Sequence, residues 1–583
     1  MKKAALVVVR LLFSTSLFAA PQAWRNGERV ALWPEGRIPD FQEHQIGAMT
    51  DEVSTNAEWR AAHRMPYLEW FEPPASNSTR GCMILISGGS YVNCCDLGLI
   101  KTWRETFTKL GFQTVNLVYR TPRGKGIACH QTAWEDGQRA VRLVRRDAAK
   151  RGFDPEKIGV IGMSAGGHLT CLLATSALTP AYERVDEVDD IPCHVNWAIA
   201  NAPAYNTETA ASGCARPQDG TTFTDLKVNP CFKFDAKTCP ISFHHGGADG
   251  YTPNGSTMCY REMRKRKIPA ELHLYADRGH GAHGLERALE FVRQMNYDGQ
   301  LSKWQEQQNH RFLPHGTLRT EKEPLWPDGK APDASENQKY DPYLVWFLPE
   351  KPTTKAIQVI VPGGAYGLCN FIDEGVPVAT YLNAKGMAAV IVQYRCPRPI
   401  GKPKHLSAWQ DAQRAIRIVR TKAASKGLDP DRIGILGFSA GGHLTLMTAV
   451  NAQTPAYEPV DEIDKVSCKL QWACPVYPAY VLTDGADSAN ANGGNGDGDV
   501  IVPELAFDAD TPPMCFVHGD ADGVSAMGSV KCWEKLRTMG IQCDLHTLAT
   551  RGHCFQFSAA RGTGSYTWMD RIWDFLSRKG LNK

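Results

Sequence analysis

A serine flanked by glycines, Gly162-Met163-Ser164-Ala165-Gly166, follows the apolar run 158–161 and opens a stretch compatible with a helix. The arrangement returns as Gly437-Phe438-Ser439-Ala440-Gly441. Gly-x-Ser-x-Gly between a strand and a helix makes a nucleophile elbow: the serine is strained in a tight turn that tolerates only small neighbours, and its hydroxyl stands clear of the sheet. Such a hydroxyl needs a general base, and the base needs an orienting carboxylate, following in the chain order Ser, Asp, His. Downstream of Ser164, Asp249 stands in a loop after the apolar run 241–243, and His280 follows the run 271–275. The second serine is followed by Asp522 and His553. Ser-to-Asp separations are 85 and 83 residues, and Asp-to-His is 31 in both. The sequence therefore predicts two triads, Ser164–Asp249–His280 and Ser439–Asp522–His553.

The rivals separate by comparing the two sets. Asp520 has Gly247 as its counterpart and is expected to be a turn residue; His283 is matched by Gln556 and is expected to be a loop histidine. His168 and His443, four residues beyond each serine, are expected to be structural rather than bases. For the oxyanion, the N–H groups of Ala165 and Ala440 are one set of donors. The second set is expected from adjacent glycines, Gly88 and Gly89 in ISGGSY and Gly363 and Gly364 in VPGGAY, whose backbones can turn toward a carbonyl.

These residues sit in a chain that repeats itself. ALWPEGRIPD (31–40) returns as PLWPDGKAPD (324–333), 133–159 returns as 408–434, and TPAYERVDEVDD (179–190) as TPAYEPVDEIDK (454–465). The offset runs from 293 to 275 to 273, so copy one is longer between its opening motif and its first core strand. A period this long is a duplicated domain rather than a solenoid. Predicted boundaries are a leader at 1–23, one domain at 24–300, a linker at 301–322 and a second domain at 323–583. In each copy uninterrupted apolar runs alternate with amphipathic ones. Trp134, Gly137, Val141, Val144 and Ala148 recur at helical spacing, as do Trp409, Ala412, Ile416, Val419 and Ala423. That alternation predicts an α/β architecture, a mostly parallel sheet with helices on both faces, occurring twice.

The composition is that of a globular protein, 43% hydrophobic and 22% charged over 583 residues. With 65 basic against 62 acidic residues, charge gives no reason to expect a nucleic acid or an anionic membrane as partner. MKKAALVVVRLLFSTSLFAAPQAW reads as a secretory signal peptide and predicts an exported protein, secreted or periplasmic; the competing reading is an apolar strand or short anchor. The 18 cysteines are too dilute for a disulfide scaffold, and no His/Cys cluster has zinc-ligand spacing along the chain. Cys94, Cys193 and Cys259 recur as Cys369, Cys468 and Cys532, either pairing or remaining buried thiols. The stretch 484–499 is rich in Asp and Asn but lacks the spacing of an EF-hand, and is expected to be a rim loop.

On LWPEGRIP/LWPDGKAP, Gly-Gly-x-Tyr, DGQRAVRLVR/DAQRAIRIVR, GMSAGGH/GFSAGGH and Arg-Gly-His, both copies resemble α/β-hydrolase-fold carbohydrate esterases of the acetyl-xylan-esterase and feruloyl-esterase-like group, related to dienelactone hydrolases. The resemblance implies serine-triad hydrolysis of ester substituents on polysaccharides, without metal or other cofactor, and assigns both triads. Where relatives carry a histidine before the oxyanion glycines, this chain has Ser87 and Pro362; where they read Tyr-Pro, copy two has Tyr477-Pro478 but copy one Ala202-Pro203. Copy one also has GYTPNGS after its aspartate. The rival readings are a generalist carboxylesterase, a peptidase of the same fold (without the large gating domain expected of one), and a binding module with one or both sites idle.

Overall fold

The structure, a computed structural model, describes residues 26–583 except 75–77, 96, 209–225, 300–318, 328–329, 339–340, 484–495, 497 and 556–566. The expected leader, most of the expected linker, most of the 484–499 loop and Gln556 lie outside the described residues.

Copy one contributes β1 (Glu28–Ala31), β2 (Tyr67–Phe71), β3 (Cys82–Ile86), β4 (Gln113–Val118), β5 (Ile158–Met163), β6 (Trp197–Asn201), β7 (Ile241–Gly246) and β8 (Ala270–Tyr275). Copy two contributes β9 (Arg319–Pro324), β10 (Tyr343–Leu348), β11 (Ile357–Val361), β12 (Ala388–Gln393), β13 (Ile433–Phe438), β14 (Trp472–Val476), β17 (Met514–Gly519) and β18 (Cys543–Leu548). A separate ribbon, β15 (Leu482–Thr483) with β16 (Val500–Ile501), brackets the Asp/Asn-rich loop. The first eight strands lie in the order β1-β2-β4-β3-β5-β6-β7-β8, and copy two repeats this order. From β4 to β8 neighbours run parallel, while β1 and β2 are antiparallel. Strands β3 to β8 are buried at nearly every position, which is why their sequences are apolar runs rather than alternations. The extra residues at the start of copy one hold a short helix, Ala57–Ala62, capped by the Asn56 side chain.

Both amphipathic stretches are helices, Gln131–Arg151 and Leu406–Ala423, with the predicted apolar faces buried. Each carries a buried aspartate facing the sheet. Asp136 takes hydrogen bonds from Trp33, the Arg120 backbone and the Arg120 guanidinium; Asp411 takes the same from Trp326 and Arg395. These contacts pin the opening LWP motif to the helix.

The two eight-stranded arrays join into one sixteen-stranded sheet through antiparallel pairing of β8 with β18. The register places His273 opposite His546, and these residues occupy the same position in the repeat, 273 apart. The same pseudo-twofold relation brings Arg261 to Glu534. Ala276 N–H donates to Asp544 (2.8 Å), and its counterpart Ala549 N–H donates to Glu271 (3.1 Å). Burial pushes the Glu271 carboxyl up to about 7, only partly offset by Arg571. Asp544 moves the other way: His546 and Arg578 overcome its burial and hold it below the usual range.

Asp520 is not a simple turn residue. It is partly buried at this junction, accepting from Tyr260 (2.7 Å), Arg264 (3.0 Å) and the Ala270 N–H (3.1 Å), all of copy one. Cys94, Cys193, Cys259, Cys369, Cys468 and Cys532 are all free thiols.

Candidate active sites

Each elbow serine leaves its strand with a positive φ, 57° at Ser164 and 52° at Ser439, a conformation L-residues adopt only when the surroundings impose it. The glycines explain how. A Cβ on Gly162 would lie 2.3 Å from the carbonyl oxygen of Gly166, and one on Gly166 would lie 2.3 Å from that of Ser87. Gly437 and Gly441 are crowded in the same way by the carbonyls of Gly441 and Val361. The elbow is thus wedged between its own helix and the loop after the neighbouring strand.

The structure brings all six predicted triad residues together. In copy one, His280 Nε2 lies 2.9 Å from Ser164 Oγ, and His280 Nδ1 lies 2.8 Å from Asp249 Oδ2. In copy two, His553 Nε2 lies 2.7 Å from Ser439 Oγ, and Nδ1 lies 2.9 Å from Asp522 Oδ2. The aspartates are held by their own loops: Asp249 accepts from the Tyr251 N–H (2.7 Å), and Asp522 from the Val524 N–H (2.8 Å). A second buried histidine, His245 or His518 at the end of β7 or β17, flanks each carboxylate at 3.1 and 3.5 Å. Burial alone would raise these carboxyls. Hydrogen bonds from His245 and His280 instead hold Asp249 well below the usual range, and those from His518 and His553 hold Asp522 at about 2. Both aspartates are therefore ionised at neutral pH, ready to orient the imidazole and to stabilise its cation.

The oxyanion loops share an unusual backbone. Gly89, Ser90 and Tyr91 all have positive φ (122°, 55°, 59°), as do Gly364, Ala365 and Tyr366 (128°, 54°, 56°). Ala165 and Ala440 are the first helical residues after the serines. His168 and His443 are fully buried and lock the loops from below: Tyr91 Oη lies 2.8 Å from His168 Nδ1, and Tyr366 Oη lies 2.9 Å from His443 Nδ1. His283 contacts the Gly279 carbonyl (2.8 Å) rather than the serine.

One expectation is corrected. The Gly363 N–H does not face the site freely; it donates to the buried Glu374 carboxylate, which also accepts from the Tyr477 hydroxyl (3.1 Å). Gly364 and Ala440 remain the candidate oxyanion residues of copy two. Sequence reasoning missed this pair because it is specific to one copy. At the repeat positions of Glu374 and Tyr477, copy one has Leu99 and Ala202.

Two stretches of the chain, 68–188 and 345–491, match the family described as BD-FAE, and 141–297 matches the prolyl oligopeptidase family. An acetylxylan esterase of Xylanibacter ruminicola is 29% identical over 231 residues, covering 37% of this chain and 44% of that protein. Esterase LipQ of Mycobacterium tuberculosis is 32% identical over 142 residues, 24% of this chain and 32% of that one. The chain thus spans less than half the length of these two relatives. Among solved structures, an acetyl ester-xyloside bifunctional hydrolase from Caldicellulosiruptor lactoaceticus aligns at 25% identity and a TM-score of 0.39, over 46% of this chain and 99% of that one. The chain has the α/β-hydrolase fold. Carbohydrate esterases of that fold are among its relatives.

Proposed function

We propose that the chain removes acetyl or other acyl groups from polysaccharides such as xylan, using two Ser–His–Asp sites, one in each of two domains joined near 301–322. The observation that carries this reading is the same Ser–His–Asp hydrogen-bonded chain at both elbows. In each site the serine Oγ attacks the acyl carbonyl while the histidine Nε2 takes its proton. The ionised aspartate holds Nδ1–H and stabilises the imidazolium, and backbone N–H groups of the glycine loop and the elbow alanine receive the oxyanion. The histidine then protonates the departing sugar oxygen, and water, deprotonated by the same histidine, releases the acid. Acetylated xylan as substrate draws on the relatives' activity. Export through the N-terminal segment fits an extracellular substrate, and no helix among the described residues is long and apolar enough to cross a membrane.

A second reading, with copy one catalytic and copy two a binding or structural copy, draws on the capture of the Gly363 N–H by Glu374. Assaying wild type, Ser164→Ala, Ser439→Ala and the double variant on a small acetyl ester and on acetylated xylan decides between them. Loss only in the double variant is expected. Full activity in the double variant would sink the serine mechanism, and complete loss in Ser164→Ala alone would favour the second reading.

A further inference from the structure

Beneath each nucleophile helix the fold gathers three donors that the chain keeps far apart. In copy one they are His130, at the start of helix Gln131–Arg151, His168, on the first turn of helix Ala165–Thr175, and Cys231, in the loop before β7. In copy two they are His405, His443 and Glu504. The trios are repeat-equivalent: 405 and 443 lie 275 residues beyond 130 and 168, and 504 lies 273 beyond 231. Within each trio one donor atom per residue lies within 4.8 Å of the other two. We infer that each copy carries a divalent-cation site of the zinc class, His130–His168–Cys231 in one and His405–His443–Glu504 in the other.

Three observations support this beyond proximity. First, His130 Nδ1, His405 Nδ1 and His443 Nε2 are buried and have no hydrogen-bond partner among the described residues. Orphaned buried nitrogens are costly and ask for a partner. Second, the outer contacts suit a ligating imidazole. Tyr91 and Tyr366 engage Nδ1 of His168 and His443, which fixes the rings and turns each Nε2 toward the third donor. Third, the spacing is close to what a cation requires. His168 Nε2 and Cys231 Sγ are 3.7 Å apart, and N and S ligands on a tetrahedral zinc stand roughly 3.5 Å apart.

The donor sets name the ligand class. Two imidazoles with a thiolate, or with a carboxylate, are both zinc-type sets, and each leaves a fourth position open. In copy two His405 and Glu504 line a cavity of about 560 Å³ that gives a cation a way in. Lys402 and Lys404 line the same cavity, so the copy-two site is the weaker one. At the position of Lys404, copy one has the disulfide-bonded Cys129, which carries no charge. A bound cation would tie the loop carrying Cys231 or Glu504 to the histidine beneath the oxyanion loop. The role is positioning, outside the ester chemistry.

The test uses the full chain, stripped of metal by a chelator and titrated with Co²⁺ alone. Two equivalents are expected, with visible ligand-field bands and a near-ultraviolet thiolate-to-cobalt band. Cys231→Ser should remove one equivalent together with the thiolate band; Glu504→Gln should remove the other equivalent and leave that band intact. Both positions are in loops and only partly buried, so both variants are expected to fold. Uptake below one equivalent, or two equivalents retained in the double variant, overturns the proposal. A single equivalent in wild type overturns it for the copy whose variant changes nothing.

Discussion

The two triad histidines have the same hydrogen bonds but different walls. In copy one Tyr251, from the aspartate loop, packs on His280 with ring centroids 4.9 Å apart. In copy two the equivalent position is Val524, and the ring against His553 is Tyr477, from the end of β14, at 4.8 Å. Tyr477 then brings its own consequence. Its hydroxyl is buried and needs an acceptor, Glu374 supplies one, and the remaining carboxylate oxygen takes the Gly363 N–H. Copy one, with Ala202 and Leu99 there, has no such chain. Duplication has kept the reacting atoms fixed while the aromatic support moved from one loop to another, and each solution forced its own neighbours.

The largest effects should be those on which the copies agree. With Ser439→Ala silencing copy two, Asp249→Asn is expected to lower the remaining kcat about 10⁴-fold, because an amide favours the wrong histidine tautomer. Asp522→Asn in the Ser164→Ala background should do the same, and a loss tenfold smaller in either would break the equivalence of the sites. A smaller effect should be confined to copy two. Glu374→Leu removes the acceptor of two buried donors and is expected to cost about 1–3 kcal/mol per donor. Denaturant unfolding reads that loss, and adding Tyr477→Ala, which restores the copy-one pair, should recover part of it.

The smallest effect lies at the junction. The Glu271 carboxyl is raised from about 4.5 to about 7, so the stability tied to its protonation is complete below about 4.5 and lost as pH rises through about 7. Glu271→Gln should therefore flatten the fall in Tm between pH 5 and pH 8, at roughly 2–4 °C per kcal/mol. Asp544 is lowered, so its contribution is present at neutral pH and disappears only on acidification. Asp544→Asn should leave the pH 5 to pH 8 slope unchanged, and an equal flattening in both variants would contradict the assignment.

Both triads, the elbows and the alternating strands were legible in the sequence because each rests on local pattern, and because a duplicate separates a shared aspartate from an unshared one. Asp522 over Asp520 is the clearest case. The same filter hid what the copies do not share. Asp520 has no counterpart in copy one, yet an unshared residue can serve the contact between copies, where it meets Tyr260 and Arg264. Glu374 escaped notice for the same reason. The β8–β18 pairing could not be read from periodicity, since a strand buried on both faces looks alike at an edge or inside a sheet. Cys231 and Glu504 were invisible because they sit in the least similar loops, more than sixty residues from the nearest histidine of their clusters.

The pairing of positions 273 apart gives the junction the form of a homodimer interface, in which one patch serves both partners. Arg261 against Glu534 departs from that sameness. Two first halves would set Arg261 against Arg261, and two second halves Glu534 against Glu534, so like halves repel at the point where unlike halves attract. The covalent link makes this mixed pairing intramolecular and fixes the ratio of the two sites at one to one, whatever the expression level. Released from having to recognise itself, each half was free to inherit changes that a homodimer would have to accept twice.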